Sequence, residues 1–143
     1  MTRETAIKDA EATFDDGTFL NDLGNLVSFP TESQDPASGP VLRRYLDDAM
    51  RPWLEGMGYS CQVMDNPQPQ FGPFLLAERI EDTSLPTVLT YGHGDVVGGQ
   101  DDRWQEGLDP WTLTQKGDRL YGRGTADNKG QHAINMTALR TII

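Results

Sequence analysis

Residues 87–97 have the sequence TVLTYGHGDVV, in which an apolar, β-branched run leads directly into polar side chains. The run predicts a strand over 87–91. His93 and Asp95 follow it immediately. Residues two apart in an extended chain point to the same side, with Cα atoms about 7 Å apart. The Asp95 carboxylate is therefore expected to reach the His93 ring.

This pair suits a metal site. A metal-ligating histidine commonly donates its other ring N–H to a carboxylate, which fixes the tautomer and the orientation of the ring. Gly92 and Gly94 flank His93 and permit close approach of backbone or ligand. The pair alone is weak evidence, because a surface turn with an incidental hydrogen bond has the same sequence.

A second polar centre lies in residues 118–131, DRLYGRGTADNKGQ, where a glycine-containing loop delivers Asp127 just before a predicted helix. Its two carboxylate oxygens can bridge two cations. An aspartate at this position is also common as a helix cap or first-turn anion. Asn128 can serve as that cap, in capping-box relation with Gln131, which leaves Asp127 available for another role.

The order of the predicted elements, helices first, then strands, then a helix, indicates an α/β layer fold, in which the strand order is not readable from the sequence. Pro52 is expected to kink or interrupt one helix, and Gly56 with Gly58 to end it. The predicted helices cover 3–14, 18–28, 41–54 and a last segment from Asn128 onward; the predicted strands cover 59–64, 74–80, 87–91 and 119–121; loops are expected over 29–40 and 98–118.

The composition limits the classes of partner. The chain has 143 residues, a length that suits one domain, and carries 22 acidic against 12 basic residues for a net charge of −10. Such a surface repels phosphate backbones and anionic lipid headgroups, so neither nucleic acid nor a membrane is an expected partner. No apolar run approaches the length of a membrane span, and the single cysteine, Cys61, excludes an internal disulfide. A cytoplasmic protein is expected.

The other candidate functional residues have ordinary structural explanations. Gly92, Gly94 and Gly98 could form a nucleotide-binding loop, but the polar segment that follows does not predict the apolar helix which that loop requires. The other residues are expected to be structural: Trp104 and Trp111 to shape their loop, His132 to lie on the surface of the last helix or pack, and Cys61 to be a small buried hydrophobe.

Together, three motifs resemble a known family: YGHGDVV at 91–97, GLDPWTL at 107–113 with Trp104 before it, and LYGRGTADNKGQ at 120–131. In order, spacing and flanking residues they are similar to the aminoacylase, carnosinase, glutamate carboxypeptidase and succinyl-diaminopimelate desuccinylase type of metallopeptidase, peptidase family M20. The motif-rich stretch covers about 87–139.

The resemblance implies that His93 ligates one metal, that Asp95 is the carboxylate assisting that histidine, and that Asp127 bridges two metals. The implied cofactor is two zinc ions, with cobalt or manganese as alternatives. The implied reaction is hydrolysis of a peptide or an N-acyl amino acid by a metal-activated water.

The sequence departs from the family pattern because it has no counterpart of the adjacent Glu-Glu pair, which includes the general base, of a further acidic ligand or of a second histidine ligand. The resemblance therefore implies that residues 1–143 are the incomplete N-terminal portion of a phosphorylase/hydrolase-like metallopeptidase catalytic domain, with a mixed sheet and flanking helices, that ends within its last helix. The lid domain, through which the full-length protein is expected to form a homodimer, is not part of this portion. Such a portion is expected to be inactive alone. The competing hypothesis is a metal-free binding or regulatory domain that kept the fold.

Overall fold

The computed structural model describes residues 1–68 and 70–143. The first two helices lie where the apolar spacing predicts them: α1 is Arg3–Asp15 and α2 is Thr18–Val27. The two differ in burial, because α2 buries the stripe formed by Leu23, Leu26 and Val27 whereas α1 buries no residue. α2 is thus the first element of the core.

The predicted long helix consists of three consecutive segments, α3 at Gly39–Arg44, a π-helical segment at Tyr45–Met50 and α4 at Arg51–Gly56, after a 3₁₀ turn at Pro36–Ser38. The helix is not interrupted at Pro52, which was one of the two outcomes expected there. Arg51 N donates to the carbonyl of Leu46, five residues back. A π turn passes each carbonyl to the N–H one residue further along, so the helix can continue past a residue that has no N–H. The helix ends as predicted, at Gly56, and Gly58 follows with a φ of 83°.

Two small antiparallel sheets follow: β1, Ser60–Met64, pairs with β2, Phe74–Glu78, and β3, Thr114–Lys116, pairs with β4, Arg119–Tyr121. Cys61 lies opposite Ala77 in the first sheet. The predicted strands corresponding to β1, β2 and β4 are confirmed to within two residues. β3 falls in the predicted loop 98–118, whose glycine and polar content conceals a three-residue strand.

The predicted strand at 87–91 was wrong for the described residues, where this segment has no β-ladder. Its apolar side chains are not buried: Val88 is 83%, Leu89 91% and Tyr91 87% exposed. A strand depends on a partner for its backbone hydrogen bonds and for the burial of its side chains. The segment has the composition of a buried strand, but no neighbouring strand lies beside it in the part of the chain that is described.

The last helix, α5, is Lys129–Ile142; it contacts α1 and α2, and its buried residues Ala133 and Met136 belong to the core. The expected capping box was wrong: Asn128 makes no side-chain bond to the helix backbone, and its Nδ2 donates to Gln131 Oε1 at 2.8 Å instead. The core formed by these elements comprises Leu23, Leu26, Val27, Tyr45, Ala49, Met50, Met57, Ala133 and Met136. Helices around such a core, with small sheets beside them, confirm the predicted α/β class. Among the described residues no helix is long and apolar enough to cross a membrane.

Candidate metal-binding site

His93 and Asp95 are in contact, as their spacing predicts. His93 Nδ1 lies 3.3 Å from Asp95 Oδ1 and 3.2 Å from the backbone carbonyl of the same aspartate. Two acceptors on one side of the ring favour the tautomer in which Nδ1 carries the proton. The other ring nitrogen, Nε2, then presents its lone pair to whatever faces it.

Asp127 faces that second nitrogen. Its Oδ1 lies 3.2 Å from His93 Nε2, and its side chain is 84% exposed. The carboxylate comes from the turn that joins β4 to α5, and the Asp127–Asn128 peptide bond is cis. The structure therefore brings together all three site residues predicted from the sequence, with the imidazole between the two carboxylates.

The donor set fits a cation. With the proton on Nδ1, His93 Nε2 and Asp127 Oδ1 are two electron-pair donors that face each other, so a proton or a metal ion between them removes the repulsion. Imidazole nitrogen and carboxylate oxygen are both ordinary zinc ligands. The number of donors is small, however, since the described residues contain no group of three or more His, Cys, Asp or Glu side chains arranged to hold a metal. Two direct ligands are fewer than the three or four of a typical zinc site.

His132 lies closer to this centre than the sequence suggests. It was predicted to be a surface or packing histidine, and it packs: neither ring nitrogen is accessible or hydrogen-bonded among the described residues. Burial, and then the nearby His93, lower its pKa below the ordinary value. A Cβ on Gly92 would collide with the His132 ring, so glycine at 92 permits the contact between α5 and the segment carrying His93.

Lys129 is a second buried polar group that sequence analysis missed. Its side chain is fully buried, Nζ donates to the Phe29 carbonyl at 2.7 Å, and Nζ lies 5.3 Å from the centre of the Tyr45 ring. Burial lowers the pKa of Lys129 to about 7. The only signal in the sequence is a lysine at the start of an otherwise apolar helix stripe.

The two tryptophans shape the loop between the two polar centres, as expected. Trp104 Nε1 donates to the Gly99 carbonyl at 2.8 Å, and Arg123, which stacks on the Trp104 ring, donates to the same carbonyl at 3.0 Å. A Cβ on Gly99 would meet the Trp111 ring. Arg123 lies four residues before Asp127, so these contacts join the segment after His93 to the segment before Asp127.

The remaining candidates have no functional geometry. After Gly98 the chain forms a 3₁₀ turn at Asp101–Arg103 rather than an apolar helix, so the interpretation as a nucleotide-binding loop has no structural support. Cys61 is half-buried in β1, and burial raises the pKa of its thiol, which disfavours the reactive thiolate.

Comparisons with known proteins identify the family that this chain resembles. Residues 89–143 match the model of Peptidase family M20/M25/M40. Acetylornithine deacetylase of Proteus mirabilis (strain HI4320) is 35% identical over 125 residues, which cover 87% of this chain and 31% of that protein. Beta-Ala-His dipeptidase of Mus musculus is 49% identical over 83 residues, which cover 57% of this chain and 16% of that protein. The aligned segment thus spans less than a third of each relative's length.

Solved structures give the same result. Human carnosine dipeptidase 1 superposes with a TM-score of 0.76 at 31% identity, over 97% of this chain and 31% of that one. A di-peptidase from Saccharomyces cerevisiae superposes with a TM-score of 0.82 over 97% of this chain and 30% of that one, and at 20% identity this shows the fold alone.

The chain thus has the fold of a segment of these solved dipeptidases. The part of the chain that matches the family model belongs to peptidase family M20/M25/M40, which confirms the resemblance that the motifs indicated.

Proposed function

We propose that the protein is a metal-dependent hydrolase that cleaves a peptide or N-acyl amide bond, with two zinc ions as the cofactor and cobalt or manganese as alternatives. The observation that supports this proposal most directly is the placement of His93 between Asp95 and Asp127. The relatives support the substrate class, since one is named as a deacetylase of acetylornithine and another as a dipeptidase acting on Beta-Ala-His.

In this proposal each of the three residues has one task. His93 supplies Nε2, and Asp127 supplies its two exposed oxygens, as metal ligands. Asp95 accepts the Nδ1 proton of His93, which holds the ring in one tautomer and raises its basicity. Bound zinc would supply a Lewis acid for the scissile carbonyl and a water of lowered pKa.

We further propose that residues 1–143 are inactive by themselves, because two direct ligands and no general base are insufficient for the reaction. The remaining ligands, the general-base glutamate and a dimerising lid domain are assigned to polypeptide outside this segment, which spans under a third of the length of its relatives. A homodimer and a cytoplasmic location remain predictions.

The test is the substitution His93→Ala in the complete protein, with Asp118→Asn as a control at an exposed aspartate in the β3–β4 turn. We expect His93→Ala to lose bound zinc and to lower kcat/KM by about a thousandfold or more, since metal chemistry contributes several kcal/mol to catalysis. Zinc content is measured by atomic absorption. Hydrolysis is measured on β-alanyl-histidine and on acetylornithine, which separates the dipeptidase from the deacylase alternative.

The control variant should keep both zinc and activity. Full zinc content and full activity in His93→Ala would contradict the proposal. A wild-type protein that binds no zinc and hydrolyses neither compound would instead favour the metal-free binding or regulatory domain.

A further inference from the structure

The short segment Thr31–Ser33, just after α2, contacts the loop that carries His93 through successive residues. Thr31 is fully buried; its Oγ1 donates to the Gly94 carbonyl at 2.6 Å, and its own carbonyl accepts from Val96 N at 2.8 Å. Thr31 is therefore hydrogen-bonded to the backbone of both neighbours of Asp95, Gly94 and Val96. No feature of the nearby sequence foreshadows this contact, because the two segments are more than sixty residues apart in the chain.

Glu32 extends the same contact. It forms a parallel bridge with Val96, and its Oε1 accepts from Gly99 N at 2.6 Å. Both backbone groups of Gly99 are therefore hydrogen-bonded: its amide donates to Glu32, and its carbonyl accepts from Trp104 and Arg123. The loop from 94 to 99 is thus fixed at both ends before any metal is considered.

Ser33 completes the segment at the carboxylate itself. Its Oγ donates to Asp95 Oδ2 at 2.7 Å, while Asp95 Oδ1 is the oxygen that faces His93 Nδ1. Each carboxylate oxygen therefore has a different partner, and the plane of the carboxylate is set by both. Within the described residues the Ser33 hydroxyl is the hydrogen-bond donor to Asp95 Oδ2, so its removal would leave Asp95, whose side chain is 45% exposed, free to rotate away from the histidine.

Phe29, just before this segment, is hydrogen-bonded to the region that follows Asp127. Lys129, two residues after Asp127, donates to the carbonyl of Phe29, two residues before Thr31. A Cβ on Gly124, in the loop before Asp127, would crowd both Lys129 and Val96. Residues 29–33 thus contact the segments on both sides of the candidate site.

We propose that residues 29–33 are a positioning brace, in which Ser33 orients Asp95 so that Asp95 can hold His93 in the metal-binding tautomer. The inference rests on the proposed function, since it assigns Ser33 a role in holding a proposed metal ligand. Ser33 touches neither substrate nor metal in this scheme and acts through Asp95.

The experiment compares three substitutions in the complete protein. Ser33→Ala removes the hydroxyl, Ser33→Thr keeps it at an exposed position with room for a methyl group, and Ser84→Ala is the matched control. Ser84 Oγ also donates to an aspartate, Asp82 Oδ1, at the same distance of 2.7 Å, but in the loop after β2. The readouts are zinc affinity by chelator competition, the visible absorption of the cobalt-substituted protein and the melting temperature of the metal-free protein.

We expect Ser33→Ala to weaken metal affinity by about tenfold, the lower end of the loss seen when an outer partner of a metal ligand is removed. We also expect the cobalt spectrum to change and the metal-free melting temperature to stay the same. Ser33→Thr should restore affinity and spectrum, and Ser84→Ala should match wild type. Hydrogen exchange provides a second measurement that needs no metal: the Val96 amide, which donates to the Thr31 carbonyl, should exchange faster in Ser33→Ala.

Wild-type affinity, spectrum and exchange rates in Ser33→Ala would overturn the brace, and so would a Ser33→Thr variant as impaired as Ser33→Ala. His93→Ala, measured in the same series, separates this failure from that of the proposed function. If His93→Ala loses zinc while Ser33→Ala is unchanged, only the brace is wrong; if His93→Ala keeps zinc, the metal assignment itself is wrong.

Discussion

The two carboxylates beside His93 are held very differently by this chain. Asp95 is 45% exposed, and Ser33 fixes the carboxylate oxygen that does not face the histidine. Asp127 is 84% exposed, and within residues 1–68 and 70–143 its one ion pair is with His93. The backbone around Asp95 rests on buried groups, Thr31 and Tyr45, whereas the Asp127 carboxylate projects from a turn.

This difference corresponds to two roles that a carboxylate can have near a metal: orienting a histidine ligand, or binding the cation itself. A carboxylate that orients a histidine is effective only if it cannot rotate, and its hydrogen bonds are made within the protein. A carboxylate that binds cations needs oxygens that are not already committed. This difference supports the proposal that Asp95 orients His93 and that Asp127 binds the metal, the division that the family resemblance implies.

Substitution of each aspartate in turn tests this division directly and should produce the largest losses of activity. Asp127→Asn and Asp95→Asn are nearly isosteric and remove one negative charge each. In the complete protein we expect Asp127→Asn to lower kcat/KM by about a thousandfold or more, because a metal ligand is lost. Asp95→Asn should weaken zinc affinity by about 10- to 100-fold, the loss typical of an outer partner. Isothermal titration with zinc and steady-state kinetics measure both; equal losses in the two variants would contradict the division.

How well the sequence predicts a contact in this site depends on how far apart the two residues are along the chain. The contact between His93 and Asp95 follows from the geometry of two neighbouring positions, and it is confirmed. The approach of Asp127 to His93 came only with the motif resemblance, because nothing in a single sequence fixes the distance between two loops. The contact from Ser33 was missed for the same reason, since a serine in a polar loop is ordinarily a turn residue.

The fold shows the same limit. Helices α1 to α5 and the strands β1 and β2 were predictable because their apolar patterns are local, whereas the pairing of the two strands was not. The segment 87–91 has an equally clear apolar pattern, and it was wrongly predicted as a strand within the described residues. Composition reports whether a segment is suited to a strand, but pairing depends on a neighbour from elsewhere in the chain. The strand β3 was missed altogether, because its three residues, next to Gly117, show too little apolar pattern to be recognised.

A smaller effect tests how firmly the Asp95 side rests on the core. A Cβ on Gly94 would enter the ring of Tyr45, which is 2% exposed and packs edge-to-face on Phe29 with ring centres 5.8 Å apart. The ring has no room to shift, so we expect Gly94→Ala to destabilise the protein by about 1–3 kcal/mol, as overpacking typically does. Urea unfolding followed by circular dichroism provides the measurement.

The control for that experiment is Gly56→Ala, at a helical position where an added Cβ meets nothing within 4 Å. It should be neutral or stabilising by up to about 1 kcal/mol, because alanine has the higher helix propensity. If both variants unfold at the same urea concentration, the loop carrying His93 and Asp95 is not seated on Tyr45.

The smallest effect concerns Tyr45 itself. Its hydroxyl is buried without a hydrogen-bond partner among the described residues, and burial raises the pKa of Tyr45 above the ordinary value of 10.0. Tyr45→Phe keeps the ring under Gly94 and Lys129 but removes the unpaired hydroxyl, so we expect the free energy of unfolding to rise by about 1 kcal/mol. Tyr91→Phe, at a ring that is 87% exposed, is the matched control and should change nothing.

The pH dependence gives this last prediction a sign. Because the pKa of Tyr45 is higher in the folded protein than in the unfolded chain, the unfolded chain releases its proton first as the pH rises above 10.0. Tyr45 therefore contributes a loss of stability with rising pH in that range, and the contribution is absent below it. Urea unfolding between about pH 9 and pH 11 should show a shallower decline for Tyr45→Phe than for wild type or Tyr91→Phe. Identical slopes in all three proteins would mean that the hydroxyl reaches solvent or a partner, and that the support beneath Gly94 is less closely packed than the Asp95 side requires.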